Sequence, residues 1–259
     1  MEEDDLGAGK DRLFVTALAR GLTVLRAFQP GDSLLGNQEL AARTGLPKST
    51  ISRLTYTLLQ LGYLAQDPDS GRYRPGVGVL ALGYAALSTL DIRDVAAPLM
   101  RALSQETGHS VTLAARSGVS MIYVEASRAP TRLGIKLDVG STVPLATTAI
   151  GRAWLAGLPA HERAAVLEEL SQHYGTRWPT IQTGLTAALQ DYAEKGYCLS
   201  LGEFEADINA IGVALKASPG QPPLALNCSG PAFRLSKAML EDEIAPRLQA
   251  LARQLGGRA

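Results

Sequence analysis

Apolar residues Phe14, Leu18, Leu22, Leu25 and Phe28 recur at intervals of three and four, a spacing that predicts a helix over 14–28. Gln29-Pro30-Gly31-Asp32 stops it. Asn37 is placed to cap a short helix over 38–43 whose Leu40 and Ala41 face inward. Gly45 makes a turn, and Pro47 suits the first turn of the next helix, where its missing N–H costs little. That helix runs to about Leu61 with Ile51, Leu54, Leu58 and Leu61 on its buried face, and Gly62 ends it. Residues 63–66 and 72–74 then read as a hairpin, with Asp67-Pro68-Asp69-Ser70-Gly71 as its turn. Helices follow over 79–90 and 98–107.

The second half has a different texture. Short β-rich runs at 111–115, 121–126, 133–137, 198–201, 208–217 and 223–228 are separated by helical patterns at 148–158, 160–173, 183–195 and 236–255. Strands clustered with intervening helices indicate an α+β domain. The division expected is a disordered leader over 1–12, a first domain over 13–76, a connecting helix over 77–93 and a second domain over 94–259. No internal repeat is visible.

Two helices joined by a short glycine turn form a helix-turn-helix unit. Ala41 is small where the helices cross, and Ile51 and Leu54 anchor the second helix. This leaves Lys48, Ser49, Thr50, Ser52, Arg53 and Tyr56 on the leading end and outer face, where a recognition helix contacts base edges. Hydroxyls and a guanidinium suit bases and phosphates, and the positive helix N-terminus favours phosphate. Arg72 and Arg74 alternate on one strand and share a face, which makes the hairpin a basic wing. Over residues 37–75 there are five basic residues (Arg43, Lys48, Arg53, Arg72, Arg74) against three acids (Glu39, Asp67, Asp69). The whole chain carries a formal net charge of zero. The positive excess therefore lies where a duplex would dock.

Composition closes off other classes. At 46% hydrophobic and 19% charged, 259 residues can bury a core in each half. Cys198 and Cys228 have neither CxxC nor zinc-like spacing, so no disulfide framework or metal site is expected and a reducing compartment fits. The N-terminus lacks a signal-peptide pattern and no apolar run is long enough to span a bilayer, so the expected location is the cytoplasm. No GxSxG elbow, phosphate loop or zinc spacing is present. His109, His161 and His173 form no nucleophile–base pair, and neither a cofactor nor catalysis is expected. A small-molecule-converting enzyme with an accessory winged helix is the alternative reading, and a protein-interaction module that uses the winged helix without DNA is a third.

The segments "FVTALARGLTVLRAF" (14–28), "ELAARTGLPKSTISRLTYTLLQLGYL" (39–64), "GRYRPGVGVLALG" (71–83), "GRAWLAGLP" (151–159), "GYCLSLGEFEADINAIGVAL" (196–215) and "SGPAFRL" (229–235) resemble the IclR family of bacterial transcription regulators. The similarity is collinear over about residues 12–256. FVTALARGL resembles the branch that controls aromatic-acid catabolism. The resemblance implies an N-terminal winged helix-turn-helix, a linker helix and a C-terminal effector-binding domain of GAF-like α/β architecture. It also implies a homodimer or dimer of dimers on a palindromic double-stranded operator, with half-sites about 34 Å apart. The linker stripe Val79, Leu82, Gly83, Ala86 and Leu90 is then either a dimer contact or a face packed on its own domain.

The family's effector pocket maps to three stretches. The first is Ala146 to Arg152, where Thr147, Thr148, Ala149, Ile150 and Gly151 open a helix that can hold a carboxylate. The second is Ser200 to Asn209, with Glu203 and Asp207, and the third is Asn227 to Ser229. Leu113 and Tyr123 are expected as apolar wall. Such a pocket suits a small organic acid, aromatic or short aliphatic. Glu203 and Asp207 would repel an acid unless they face elsewhere or bind its hydroxyls, and Arg132 and Arg152 are alternative charge partners.

Overall fold

The computed structural model describes residues 13–128, 138–215 and 222–256. The expected leader (1–12), the strand over 133–137, Arg132 and the end of the run over 208–217 lie at least partly outside them. The chain divides into two compact units, residues 1–89 and 90–259.

In the first unit, α1 (Thr16–Arg26), α2 (Asn37–Thr44) and α3 (Lys48–Gln60) are followed by the hairpin β1 (Leu64–Gln66) and β2 (Tyr73–Pro75), then α4 (Val77–Leu87). Gly45 adopts φ 71° and its N–H closes onto Ala41 O at 2.9 Å, so a left-handed residue turns the chain between α2 and α3. Val24, Leu35, Leu40, Leu46, Ile51, Leu58, Leu64 and Tyr73 form the core. The hairpin pairs Leu64 with Pro75 and Gln66 with Tyr73. Leu35 and Tyr73 exchange both backbone hydrogen bonds, at 2.9 and 2.8 Å, and so tie the wing to the strand-like segment before α2.

Three local expectations are corrected. Gly36, not Asn37, is the N-cap of α2, and the Glu39 carboxylate accepts the Gly36 N–H at 3.0 Å. The Asn37 amide instead donates to Ser52 Oγ at 3.2 Å. Leu61 is exposed because it is the C-cap of α3; Thr55 takes the buried position, its hydroxyl satisfied by Ile51 O at 2.9 Å. Phe14, Leu18 and Leu22 stay exposed while Val24 fills the core. α4 has no buried residue at all.

The second unit contains α5 (Ile92–Thr107), β3 (Ser110–Ser117), β4 (Ser120–Ser127), β5 (Thr142–Pro144), α6 (Ala149–Ala156), α7 (Ala160–Tyr174), α8 (Trp178–Lys195), β6 (Cys198–Leu201), β7 (Ile208–Ala214), β8 (Leu224–Pro231), α9 (Lys237–Met239) and α10 (Ala245–Gly256). One antiparallel sheet runs β5-β4-β3-β8-β7-β6. Strand alternation sends Ala114, Tyr123 and Ala225 to the face that α6 covers, where they join Ile150, Trp154, Leu170 and Leu185 in one core. Leu113, Ile211, Val213 and Leu226 point to the other face, against α5 and α10.

Helix boundaries shift where packing overrides local signals. α5 starts before Pro98 because its inward face already includes Ala96 and continues through Met100 and Leu103. α8 starts at Trp178, which is buried, with a proline at the first helical positions. The helix expected over 236–255 is present as one helical stretch, Lys237 to Gly256, in which α9 passes through a π-turn over Leu240–Ile244 into α10, next to Pro246, whose missing N–H cannot join a regular α-helical ladder. β5 was not expected: three residues at a sheet edge are too few to show alternation.

Candidate functional site

The outer side of α3 presents Lys48, Ser49, Ser52, Arg53 and Tyr56 to solvent, with Tyr56 64% exposed; Thr50 is half-buried. The polar side of the recognition helix is therefore free within its unit. Ser52 is less free than its exposure suggests. Its hydroxyl donates to Lys48 O at 3.0 Å and accepts from Asn37.

The five cations of this region are not equivalent. Arg43 forks onto Asp32 at 2.5 and 2.9 Å and donates to Ala27 O at 2.8 Å, so it fastens the end of α2 to the turn after α1. Its guanidinium, with the Gln29 N–H, holds the Asp32 carboxyl below the usual carboxylate range. Arg72 pairs with Glu39. Among the described residues, no carboxylate pairs with Lys48, Arg53 or Arg74. Asp67 is engaged inside its own turn by the Ser70 hydroxyl and N–H, which lower its pKa.

In the second unit the α6 face of the sheet gathers polar groups. Thr112 on β3 pairs directly with Asn227 on β8, and Asn227 in turn with Gly212 on β7. A Cβ at Gly212 would lie 2.3 Å from Ala149 O and 2.9 Å from Ile150 N, so the sheet presses directly on the first turn of α6. Thr112 and Asn227 are 4% and 3% exposed, yet Thr112 Oγ1 and Asn227 Oδ1 complete no hydrogen bond of ordinary geometry. Tyr123 shares this face through its pairing with Ala114. Burial pushes its phenol up to about 12, offset in small part by the Thr112 hydroxyl, so it stays a neutral donor and acceptor.

Around this patch the expected residues separate. Ser200 lies on the same face, and its hydroxyl holds Thr147 O at 3.2 Å. Thr148 caps α6: its Oγ accepts the Gly151 N–H at 3.3 Å and donates to Pro144 O at 2.7 Å, which leaves it no hydroxyl for a ligand. Gly151 has no room for a side chain, since a Cβ would stand 2.1 Å from Leu145 O. Ser229 lines the patch two residues beyond Asn227, on the same face.

Leu113 and Asn209 leave the site. Leu113 is on the opposite sheet face from Tyr123, because one residue along a strand reverses direction, and Asn209 donates to Leu235 O at 2.9 Å on that opposite side. Asp207 is exposed in the β6–β7 loop. Glu203 forks onto Arg152 at 2.7 and 2.5 Å, so its charge is neutralised at the surface and it does not oppose an acid in the sheet patch. Arg152, 3% exposed, also donates to Ala146 O at 3.0 Å and to Leu199 O at 3.2 Å.

Burial lifts both Cys198 and Cys228 to about 12, so they are inert core thiols. His109 is buried, and that burial, helped by Arg234, lowers its pKa. Among the described residues no group of three metal-type ligands occurs and no helix is long and apolar enough to cross a membrane.

Residues 17–68 match the IclR helix-turn-helix domain, and residues 84–256 match the C-terminal domain of the bacterial transcriptional regulator IclR. The chain belongs to the IclR family. The HTH-type transcriptional regulator TsaQ1/TsaQ2 of Comamonas testosteroni is 34% identical over 93% of this chain and 87% of its own length. The Pca regulon regulatory protein of Pseudomonas putida is 30% identical over 93% of this chain and 83% of its own. A crystal structure of an IclR family transcriptional regulator from Brucella abortus superimposes with a TM-score of 0.86, at 45% identity, over 99% of this chain and 97% of that one.

This IclR protein is accordingly a transcriptional regulator and not an enzyme: a winged helix-turn-helix that binds DNA, a linker helix, and a GAF-like α/β domain for a small-molecule effector. Sequence reasoning missed Thr112, whose signal was weak: one polar residue inside the run Val111-Thr112-Leu113. It also named Arg152 only as an alternative, although Arg152 links three segments around the start of α6.

Proposed function

We propose that this regulator reads a palindromic operator through α3 and the wing, as a homodimer or dimer of dimers, and that a small hydroxylated acid, aromatic in the first instance, sets its DNA affinity. Lys48, Ser49, Thr50, Arg53 and Tyr56 meet base edges and phosphates in the major groove, with Ser52 held in place by Asn37. Arg72 and Arg74 lie beside the backbone. The fully apolar α4 and the exposed Phe14, Leu18 and Leu22 of α1 meet a second copy. Working on chromosomal DNA, the protein resides in the cytoplasm.

The observation that carries the effector reading is the buried Asn227 Oδ1, which has no hydrogen-bond partner, beside the first turn of α6 and paired across the strands with Thr112, whose hydroxyl has only the Tyr123 phenol near it. Buried polar atoms are nearly always hydrogen-bonded. A ligand hydroxyl between them would satisfy both, and a carboxylate would take those N–H groups at the start of α6 that Thr148 does not cap. Tyr123 completes the wall. Effector binding shifts DNA affinity only by its differential affinity for the two arrangements of the DNA-reading heads.

Thermal-shift titration with 4-hydroxybenzoate, benzoate and short aliphatic acids tests this. A ligand at a hundred times its Kd adds about 2.7 kcal/mol to the native state. The hydroxylated acid should raise the midpoint most, and Thr112→Val should remove its advantage over benzoate while leaving the unliganded midpoint equal or higher. Equal shifts with and without the ring hydroxyl would refute the role given to Thr112 and Asn227. No shift with any acid would refute the acid.

A further inference from the structure

Arg74 lies in β2 and Arg72 immediately precedes that strand, two residues away, so strand periodicity carried back by one residue would give the two equal access to a phosphate. The side chains do not behave alike. Arg72 reaches across to the carboxylate of Glu39 in the first turn of α2, while Arg74 is exposed with no carboxylate partner among the described residues. Glu39 serves two donors at once, since its other oxygen accepts the Gly36 N–H at 3.0 Å.

The pair is not what holds the wing. The Leu35–Tyr73 exchange of backbone hydrogen bonds fixes β2, and Tyr73 is buried in the core beneath it. Arg72 and Glu39 side chains are 42% and 46% exposed, a setting in which an ion pair adds little stability. What the pair changes is the charge the wing offers to DNA. A guanidinium already neutralised by a carboxylate releases no counterion when it nears a phosphate, unless it first leaves that carboxylate.

We infer that Glu39 is a positioning residue for DNA binding that acts through Arg72. It keeps Arg72 off the phosphates of arbitrary DNA, which is then bound through Lys48, Arg53 and Arg74. Arg72 transfers to DNA only where docking in register brings a phosphate close enough to outcompete Glu39. The exchange lowers affinity for bulk DNA and thereby widens the margin in favour of the operator, without any base contact. This inference rests on the reading of the wing as part of the DNA face.

The test uses the full chain and a fluorescein-labelled duplex of arbitrary sequence, with anisotropy titrations over a salt series. The measured quantity is the slope of log K against log salt, which gains about 0.9 for each phosphate neutralised. Arg72→Ala should leave the wild-type slope unchanged. Glu39→Gln, which keeps an acceptor for the Gly36 N–H, should steepen the slope by about 0.9 per bound subunit and tighten binding at low salt. The double variant Glu39→Gln/Arg72→Ala should return to the wild-type slope. A purely structural role for Glu39 would weaken binding without steepening it. The inference is overturned if Arg72→Ala flattens the slope as much in the wild-type background as in the Glu39→Gln background. Failure of the wild-type protein to bind any duplex at low salt would instead remove the DNA-face reading on which it rests.

Discussion

The two units place the recognition chemistry proposed for them on opposite sides of their own surfaces. In the first, Lys48, Arg53, Tyr56 and Arg74 project outward from a small core, and the other two cations, Arg43 and Arg72, are tied to Asp32 and Glu39. In the second, Thr112, Tyr123 and Asn227 are turned inward, and the cation that matters most, Arg152, is almost wholly buried. A large polyanionic partner has to be met at a surface, where water screens every charge and the scaffold beneath contributes only position. A small molecule can be enclosed, where each polar atom left without a partner has a cost that the ligand can relieve. Substitutions at the outward site should therefore change binding and spare stability. Substitutions around the inward site should change stability first.

The largest effect is expected at Gly212. The sheet and the first turn of α6 meet there with no space for a methyl group, so Gly212→Ala should destabilise the effector domain by about 3 kcal/mol. The check is the second transition in a denaturant melt followed by circular dichroism. A variant as stable as wild type would mean that α6 is not seated on β7 as described.

Next is Glu203→Ala, which leaves the Arg152 guanidinium buried with only carbonyl oxygens as partners. A cost of about 2–3 kcal/mol is expected, at the low end for breaking a buried pair because Glu203 itself is partly hydrated. The same melt measures it. Glu203→Gln, which keeps a hydrogen-bond acceptor, should recover part of the loss.

The smallest effect on stability is expected at Arg53, which touches no core. Arg53→Ala should leave both melting transitions in place yet weaken operator binding by about 1–3 kcal/mol. Anisotropy titration against a selected operator compares the two. A fallen melting transition with unchanged DNA affinity would reverse the contrast drawn between the units.

The parts of the molecule that were legible in the sequence are those governed by local rules. The glycine turn at Gly45, the apolar spacing of Leu40, Ile51 and Leu58, and the short β-rich run over 198–201 each follow from a few neighbouring residues, and the elements they imply are present. Leu113 and Asn209 were misplaced because facing depends on register across strands far apart in sequence, and a single step along a strand reverses the side chain. Glu203 and Asp207 looked like an obstacle to an acidic ligand. Glu203 is instead paired with Arg152, fifty-one residues away and joined to it only by the fold, while Asp207 is exposed in a loop. Arg72 and Arg74 show the same limit: identical by periodicity, they differ because Glu39, thirty-three residues from Arg72, lies within reach of one and not the other.

One feature of α4 reaches beyond its own residues. Eleven consecutive positions contain no charged side chain and none is buried, with Val77, Leu80 and Tyr84 each more than two-thirds in water. A lone copy in dilute solution thus carries a greasy rod that water penalises along its whole circumference. With the second copy proposed above seated on α4, lowering the protein concentration would act as a mild denaturant, and the melting temperature would depend on the amount in the tube as much as on the chain.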